Sequence, residues 1–139
     1  MSEVLANLHK KGGGGQLSET ILWTNPNGGA SLSAGTITLS DSISNYDFIG
    51  VEYCYDSEYQ NVKATAMMSV SDFMNCVYST STSVARCALV LGAERVRKWC
   101  RFVYYVSDTS IYIYTGMAVN QANTATDASN PIKVIGYKF

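Results

Sequence analysis

Short runs in which apolar and polar residues alternate recur along most of this chain, separated by clusters of Asn, Pro, Gly, Ser and Asp. Alternation with a period of two is typical of strands, because successive side chains of a strand point to opposite faces of its sheet. The clusters supply the backbone conformations that turns require. We predict strands at residues 19–24, 34–40, 47–55, 60–70, 84–91, 95–107, 110–115 and 131–138.

Short strands at regular spacing, without a long helical pattern, indicate an all-β fold. We predict one antiparallel, jelly-roll-like β-sandwich of about eight strands over residues 16–139. Residues 119–130 form a polar connection before the last strand, and Asp72–Asn75 is predicted to form a short helical turn.

Residues 1–15 are predicted to be a flexible attachment segment. Val4, Leu5 and Leu8 would share one face of about two helical turns, and the glycines at 12–15 would act as a hinge. Because so short a helix is unstable alone, we expect Val4, Leu5 and Leu8 to bind another protein or identical chains. An unstructured terminus or an engineered leader is the alternative.

Composition excludes several classes of partner. A net charge of −1 gives no general attraction to nucleic acid or to an anionic membrane. No apolar run is long enough to cross a bilayer, and the N-terminus lacks the apolar core of a signal peptide. We therefore expect synthesis and assembly in the cytoplasm.

The cysteines at 54, 76, 87 and 100 are widely spaced and form no C-x-x-C pair. Each lies in or beside an apolar strand, which favours buried structural thiols over a zinc site. In an oxidising environment, a pairing of Cys87 with Cys100 across adjacent strands is the bond that we considered.

Several segments resemble the C-terminal β domain of bacteriophage and prophage tail proteins. That domain has a "W-x-N" signature, then "x-T-I-x-L", a "Y-D-x-I-x-V-x-Y" strand and a closing "I-K-I-x-G" strand. The matching positions are Trp23 and Asn25, Thr36–Leu39, Tyr46–Tyr53 and Ile132–Gly136. The resemblance covers the first third and the last ten residues, and it implies a virion structural or receptor-binding domain that is commonly trimeric.

The short N-terminal region departs from this pattern. Tail fibres usually carry the domain after a long stalk, whereas here only residues 1–15 precede it. A capsid decoration protein or a head fibre anchored by its N-terminal peptide is therefore the alternative virion role.

The sequence offers little catalytic chemistry. Histidine is the usual general base near neutral pH, and His9 is the single histidine of the chain. Because His9 lies in the predicted tail, we expect no Ser/His/Asp or Cys/His site and no histidine-based metal site. Glu52, Asp56 and Glu58 could bind a hard cation or cleave a glycosidic bond, but acidic loop residues are usually only solvated.

Two groups of residues are candidates for a binding surface. Alternation in the predicted strand 95–107 places Arg95, Arg97, Trp99 and Arg101 on one face, which could bind carboxylates or acidic sugars or line a subunit interface. Tyr112 and Tyr114 share one face of the next strand, opposite Ile111 and Ile113. Such a tyrosine face is typical of a glycan-binding or subunit surface, or of ordinary cross-strand packing.

We therefore expect a non-enzymatic phage virion protein without a cofactor or metal. The tail-fibre-like role predicts contact with a host cell-surface glycan, and the decoration role predicts attachment to other virion proteins through residues 1–15. In both roles we expect a homotrimer and no membrane partner. A small glycan-cleaving enzyme that uses Glu52 or Glu58 is the alternative from another class.

Overall fold

A computed structural model describes residues 17–79, 87–94, 98–118 and 124–139. A 3-10 turn spans Ile43–Asn45, and the short helix α1 spans Val70–Phe73. The strands are β1 (Ser18–Thr24), β2 (Gly35–Thr38), β3 (Phe48–Cys54), β4 (Lys63–Ser69), β5 (Leu89–Glu94), β6 (Lys98–Ser107), β7 (Ser110–Ile113), β8 (Gly116–Ala118), β9 (Thr124–Ala125) and β10 (Asn130–Lys138).

Every strand predicted from the alternating pattern has a counterpart in the structure, with shifted ends. The strands β8 and β9 were not predicted, and β9 lies within the segment interpreted as a polar connection. These two strands pair with each other at only two positions, Gly116 with Ala125 and Met117 with Thr124. Strands this short are not long enough to show alternation, so their strand conformation depends on pairing and not on a local sequence pattern.

The strands form two antiparallel sheets, and the fold is all-β with little helix. One sheet has four strands in the order β1-β10-β3-β4. The other has six strands and is curled like half of a barrel. Its central strand is β6, where Val103 pairs with Leu89 of β5 at one edge and with Ile113 of β7 at the other.

The hydrophobic core contains buried residues from both sheets. Each sheet contributes the side chains that alternate toward the other sheet, and each fully buried aliphatic side chain stabilises the fold by about 1.5–3 kcal/mol. The fully buried members with no exposed surface include Ile49, Val51 and Val134 from the four-stranded sheet and Leu91, Val103, Ile111 and Ile113 from the six-stranded sheet.

The residues that carry the resemblance to phage tail domains have structural roles. Asn25 is buried, and Nδ2 of its side chain donates to the carbonyl of Pro131 at 2.9 Å. This hydrogen bond connects the end of β1 to β10. The ring of Tyr46 lies against Gly136, where an added Cβ would come within 2.6 Å of the ring. A side chain at 136 would therefore displace the ring.

The prediction for the cysteines was wrong for one pair. Cys76 and Cys87 form a disulfide with a Cα–Cα distance of 4.7 Å, while Cys54 and Cys100 are free thiols. Cys100 pairs with Gly92 inside the β5–β6 ladder, and Cys87 lies before the start of β5. The ladder register therefore separates Cys87 from Cys100 and carries it toward Cys76, whose carbonyl accepts from the amide of Tyr105 on β6.

Candidate interaction surface

The face of β6 that the sequence offers as a candidate ligand surface or subunit interface points into the protein at Arg101. The side chain of Arg101 is fully buried, and so is that of Val103 two residues later. Phe102, which lies between them, and Tyr104, which follows Val103, are partly exposed. Side chains on β6 therefore alternate between two faces as predicted, but the face of Arg101, which was predicted to be outward, is the inward one.

The guanidinium of Arg101 donates five hydrogen bonds to oxygen atoms of the surrounding loops. The acceptors are the carbonyls of Ala128 at 3.1 Å, Leu32 at 2.7 Å, Tyr114 at 3.2 Å and Thr126 at 2.9 Å, and Oδ1 of Asn130 at 3.4 Å. Burial lowers the pKa of Arg101 to about 10, and the nearby Asp127 carboxylate opposes this shift. The guanidinium therefore stays charged at neutral pH and holds the loops together, with its donors already used.

Asp127 extends this loop network toward the surface. Its carboxylate accepts from the amide of Ser57 at 2.8 Å, from the Ser57 hydroxyl at 2.6 Å and from the Asn130 side chain at 2.7 Å. Burial would raise the pKa of Asp127, but these hydrogen bonds and the charge of Arg101 hold it below its ordinary value. The network is therefore a structural junction between distant segments.

The outward face of the six-stranded sheet carries a band of aromatic side chains. Direct cross-strand partners share a face, and Tyr104 pairs with Tyr112 while Phe102 pairs with Val90. The predicted division of β7 is confirmed, because Ile111 is fully buried while its neighbour Tyr112 is only partly buried. We call this surface the aromatic face and define it by Tyr78, Val90, Phe102, Tyr104, Tyr112 and Tyr114.

Tyr78 completes the aromatic face from outside the regular strands. Its amide donates to the carbonyl of Tyr105, so residues 76–78 lie along the edge of β6 beyond β5. The ring stacks on Tyr112 with 3.9 Å between centroids and an interplanar angle of 20°. The hydrogen bond to Tyr78 and burial raise the pKa of Tyr112. Alternation could not reveal Tyr78, because it belongs to a loop and not to a strand.

The geometry of the aromatic face favours contact with a protein over stacking of sugars. A sugar stacks on the flat side of an aromatic ring, and stacking between Tyr78 and Tyr112 uses one side of each ring. The aliphatic side chain beside these rings is also open to solvent, since 46% of Val90 is exposed. Apolar and aromatic residues without charge are typical of the centre of a protein interface. Tyr114, which is 39% exposed, is the ring of this face that is most open to solvent.

The carboxylates considered for catalysis have separate local roles. Glu52 lies 3.9 Å from the amine of Lys133 on the neighbouring strand. Asp56 accepts from the amides of Glu58 and Tyr59 at 3.0 Å and 2.9 Å and so organises a turn. Among the described residues no group of three or more His, Cys, Asp or Glu side chains is placed to hold a metal ion.

The remaining candidates are only partly described. Trp99 lies on β6 and is partly buried, on the same side as Arg101. Arg95 and Arg97, and the attachment residues Val4, Leu5 and Leu8, lie outside the described residues. In the described ranges no helix is long and apolar enough to cross a membrane.

No protein-family model matches the chain, and no curated protein matches it either. The resemblance to phage tail domains therefore depends on the short motifs alone. Because Asn25 and the Tyr46–Gly136 contact are structural, those motifs bear on the fold more than on any ligand.

Proposed function

We propose that the chain is a non-enzymatic bacteriophage virion protein, a jelly-roll-like β-sandwich that assembles as a homotrimer through the aromatic face. The observation that carries the proposal is this uncharged band of partly exposed rings, which lies on a continuous sheet. Exposed apolar patches of this kind are typical of interaction sites. The short sequence motifs favour a virion setting over other roles for such a module.

The experiment compares matched substitutions in the full-length protein by light scattering. Val90 on the aromatic face and Val62 in the loop before β4 are 46% and 49% exposed. We expect Val90→Lys to convert the assembly to monomers, because a lysine ammonium would be desolvated at the interface. Val62→Lys should leave the mass unchanged. A wild-type chain that stays monomeric at high concentration would overturn the proposal.

The tail-fibre-like role also includes contact with a host-surface glycan, and the exposed ring of Tyr114 is the observation that favours this second candidate. A glycan-array signal that is lost in Tyr114→Ala and kept in Val62→Lys would support it. Particle attachment through residues 1–15 is the corresponding test of the decoration role, because loss of particle binding without any glycan signal would favour that role.

A further inference from the structure

The outward face of the four-stranded sheet has an unexpectedly buried centre. On β3, Ile49 and Val51 point into the core, so Phe48 and Gly50 point outward. Their direct partners on β10 are Tyr137 and Ile135, which must share this outward face. Yet Tyr137 is fully buried and only 8% of Ile135 is exposed. Neither belongs to the described core cluster between the sheets.

The ring of Tyr137 lies against Gly50 of β3. A Cβ added to Gly50 would come within 2.8 Å of the ring, so only glycine leaves room for it. Burial raises the pKa of Tyr137 to about 12, and the carboxylates of Glu19 and Glu52 add to this shift. Its hydroxyl is buried and has no hydrogen-bond partner in the described part of the chain. The environment of this ring is therefore that of an interior.

The rim of the same face is open. Ile21 of β1, the direct partner of Ile135, is 54% exposed, and Met67 of β4, the partner of Gly50, is partly exposed. On the opposite side of this sheet, Val70 and Phe73 of α1 join the core, while on the outward side the ring of Phe139 contacts Phe48 at one end. A buried centre surrounded by exposed residues indicates that another segment lies over β10 and β3.

The N-terminal segment has the length and position to lie over these two strands. It precedes Ser18, where β1 begins at the edge of this sheet. The residues from 12 to 17 span up to about 20 Å when extended, while neighbouring strands lie about 4.8 Å apart. Leu8 could therefore reach β10 and β3 without strain.

The chemistry of the segment also matches the face. Its apolar positions Val4, Leu5 and Leu8 would meet Tyr137 and Ile135. The following Lys10 and Lys11 are complementary to the two carboxylates beside the buried ring, Glu19 and Glu52. Lys133, which carries the same positive charge as Lys10 and Lys11, already lies near Glu52.

We propose that the outward face of the four-stranded sheet is the docking surface for residues 4–8 of the same chain, which cover Tyr137 and Ile135. This inference does not depend on the aromatic face. It gives the apolar N-terminal residues a partner within the free protein, so that particle attachment through them would require their release.

Methionine oxidation provides the first test, because Met67 and Met68 are adjacent but point to opposite sides of β4. Met67 pairs with Gly50 on the outward face, and Met68 packs against the core. With dilute peroxide and tandem mass spectrometry on the full-length protein, we expect Met67 to oxidise at least threefold faster in Leu5→Asp than in wild type. The Met68 rate should not change, and Asn7→Asp should behave as wild type. Equal Met67 rates in wild type and Leu5→Asp would overturn the proposal.

Carbodiimide cross-linking identifies which chain supplies the segment. We expect Lys10 or Lys11 to be joined to Glu52 within single chains, and not to Glu58, which is exposed in the loop between β3 and β4. Leu5→Asp should reduce the Glu52 product severalfold. A Glu52 product found only between two chains would overturn docking within one chain, and equal yields at Glu52 and Glu58 would overturn docking altogether.

Discussion

The two sides of β6 show how one strand can serve both stability and contact. On the inward side, the charged group of Arg101 is fully buried and its hydrogen bonds are directed to five oxygen atoms. On the outward side, Phe102 and Tyr104 are apolar or amphipathic and remain partly exposed. Polarity alone therefore does not indicate which side of a strand is the interior, because enough loop carbonyls can hold a cation inside.

The largest expected effect comes from removing the inward cation. Arg101→Met should lower the free energy of unfolding by about 3–5 kcal/mol, because several buried carbonyls would lose their donor. Urea denaturation measures the change. Lys133→Met is the matched control, since its pair with Glu52 is partly exposed and should contribute at most about 1 kcal/mol. Equal losses for the two variants would contradict a structural role for Arg101.

The disulfide should have the next largest effect, since it holds the segment that carries Tyr78 beside β6. Replacing both Cys76 and Cys87 with Ser should lower the free energy of unfolding by about 3 kcal/mol, as expected for a closed loop of this size. Cys100→Ser controls for the loss of a thiol. If a reducing agent does not change the urea midpoint of the wild-type protein, the bond does not contribute.

The outward side should show a smaller, local coupling. A double-mutant cycle with Tyr78→Ala and Tyr112→Ala should give a coupling energy of about 1 kcal/mol, as is typical of stacked rings. Pairing Tyr78→Ala with Thr36→Ala, on the strand beyond Tyr112, should give almost none. A coupling near zero for the tyrosine pair would mean that the two rings contribute independently.

The smallest effect concerns the pH dependence of the Arg101 network. The pKa of Asp127 is lower in the folded protein than its ordinary value of 3.8, so its contribution is complete above that value. The contribution is lost as the pH falls through the lowered pKa. Asp127→Asn should therefore flatten the decline of stability below about pH 4. Glu58→Gln serves as the control, and an unchanged acid profile in Asp127→Asn would contradict the assignment.

Much of the fold could be read from local pattern, but pairing could not. Alternation located the main strands and separated Tyr112 from Ile111 correctly. It missed β8 and β9, because strands of two or three residues are too short to show alternation. It also did not reveal that Cys87 bonds to Cys76, because the register of β5 against β6 decides which thiols meet.

The candidate surface was only half predictable. Tyr112 and Tyr114 were identified from the sequence, whereas Tyr78 joins them only because residues 76–78 run along the edge of β6. Arg101 was a candidate for a ligand or subunit surface because alternation places it on one face with Arg95, Arg97 and Trp99. Its burial depends on carbonyls supplied by segments near residues 32, 114 and 126–130.

The amino-acid sequence by itself determined the all-β class, the positions of the principal strands and which side chains share a face, because these depend on spacing within a few residues. The tertiary structure decided which face is the interior, which cysteines bond and which rings stack. Those outcomes depend on contacts between residues far apart in the chain, which is why the local pattern indicated the correct inward side for β7 but the wrong one for Arg101 on β6.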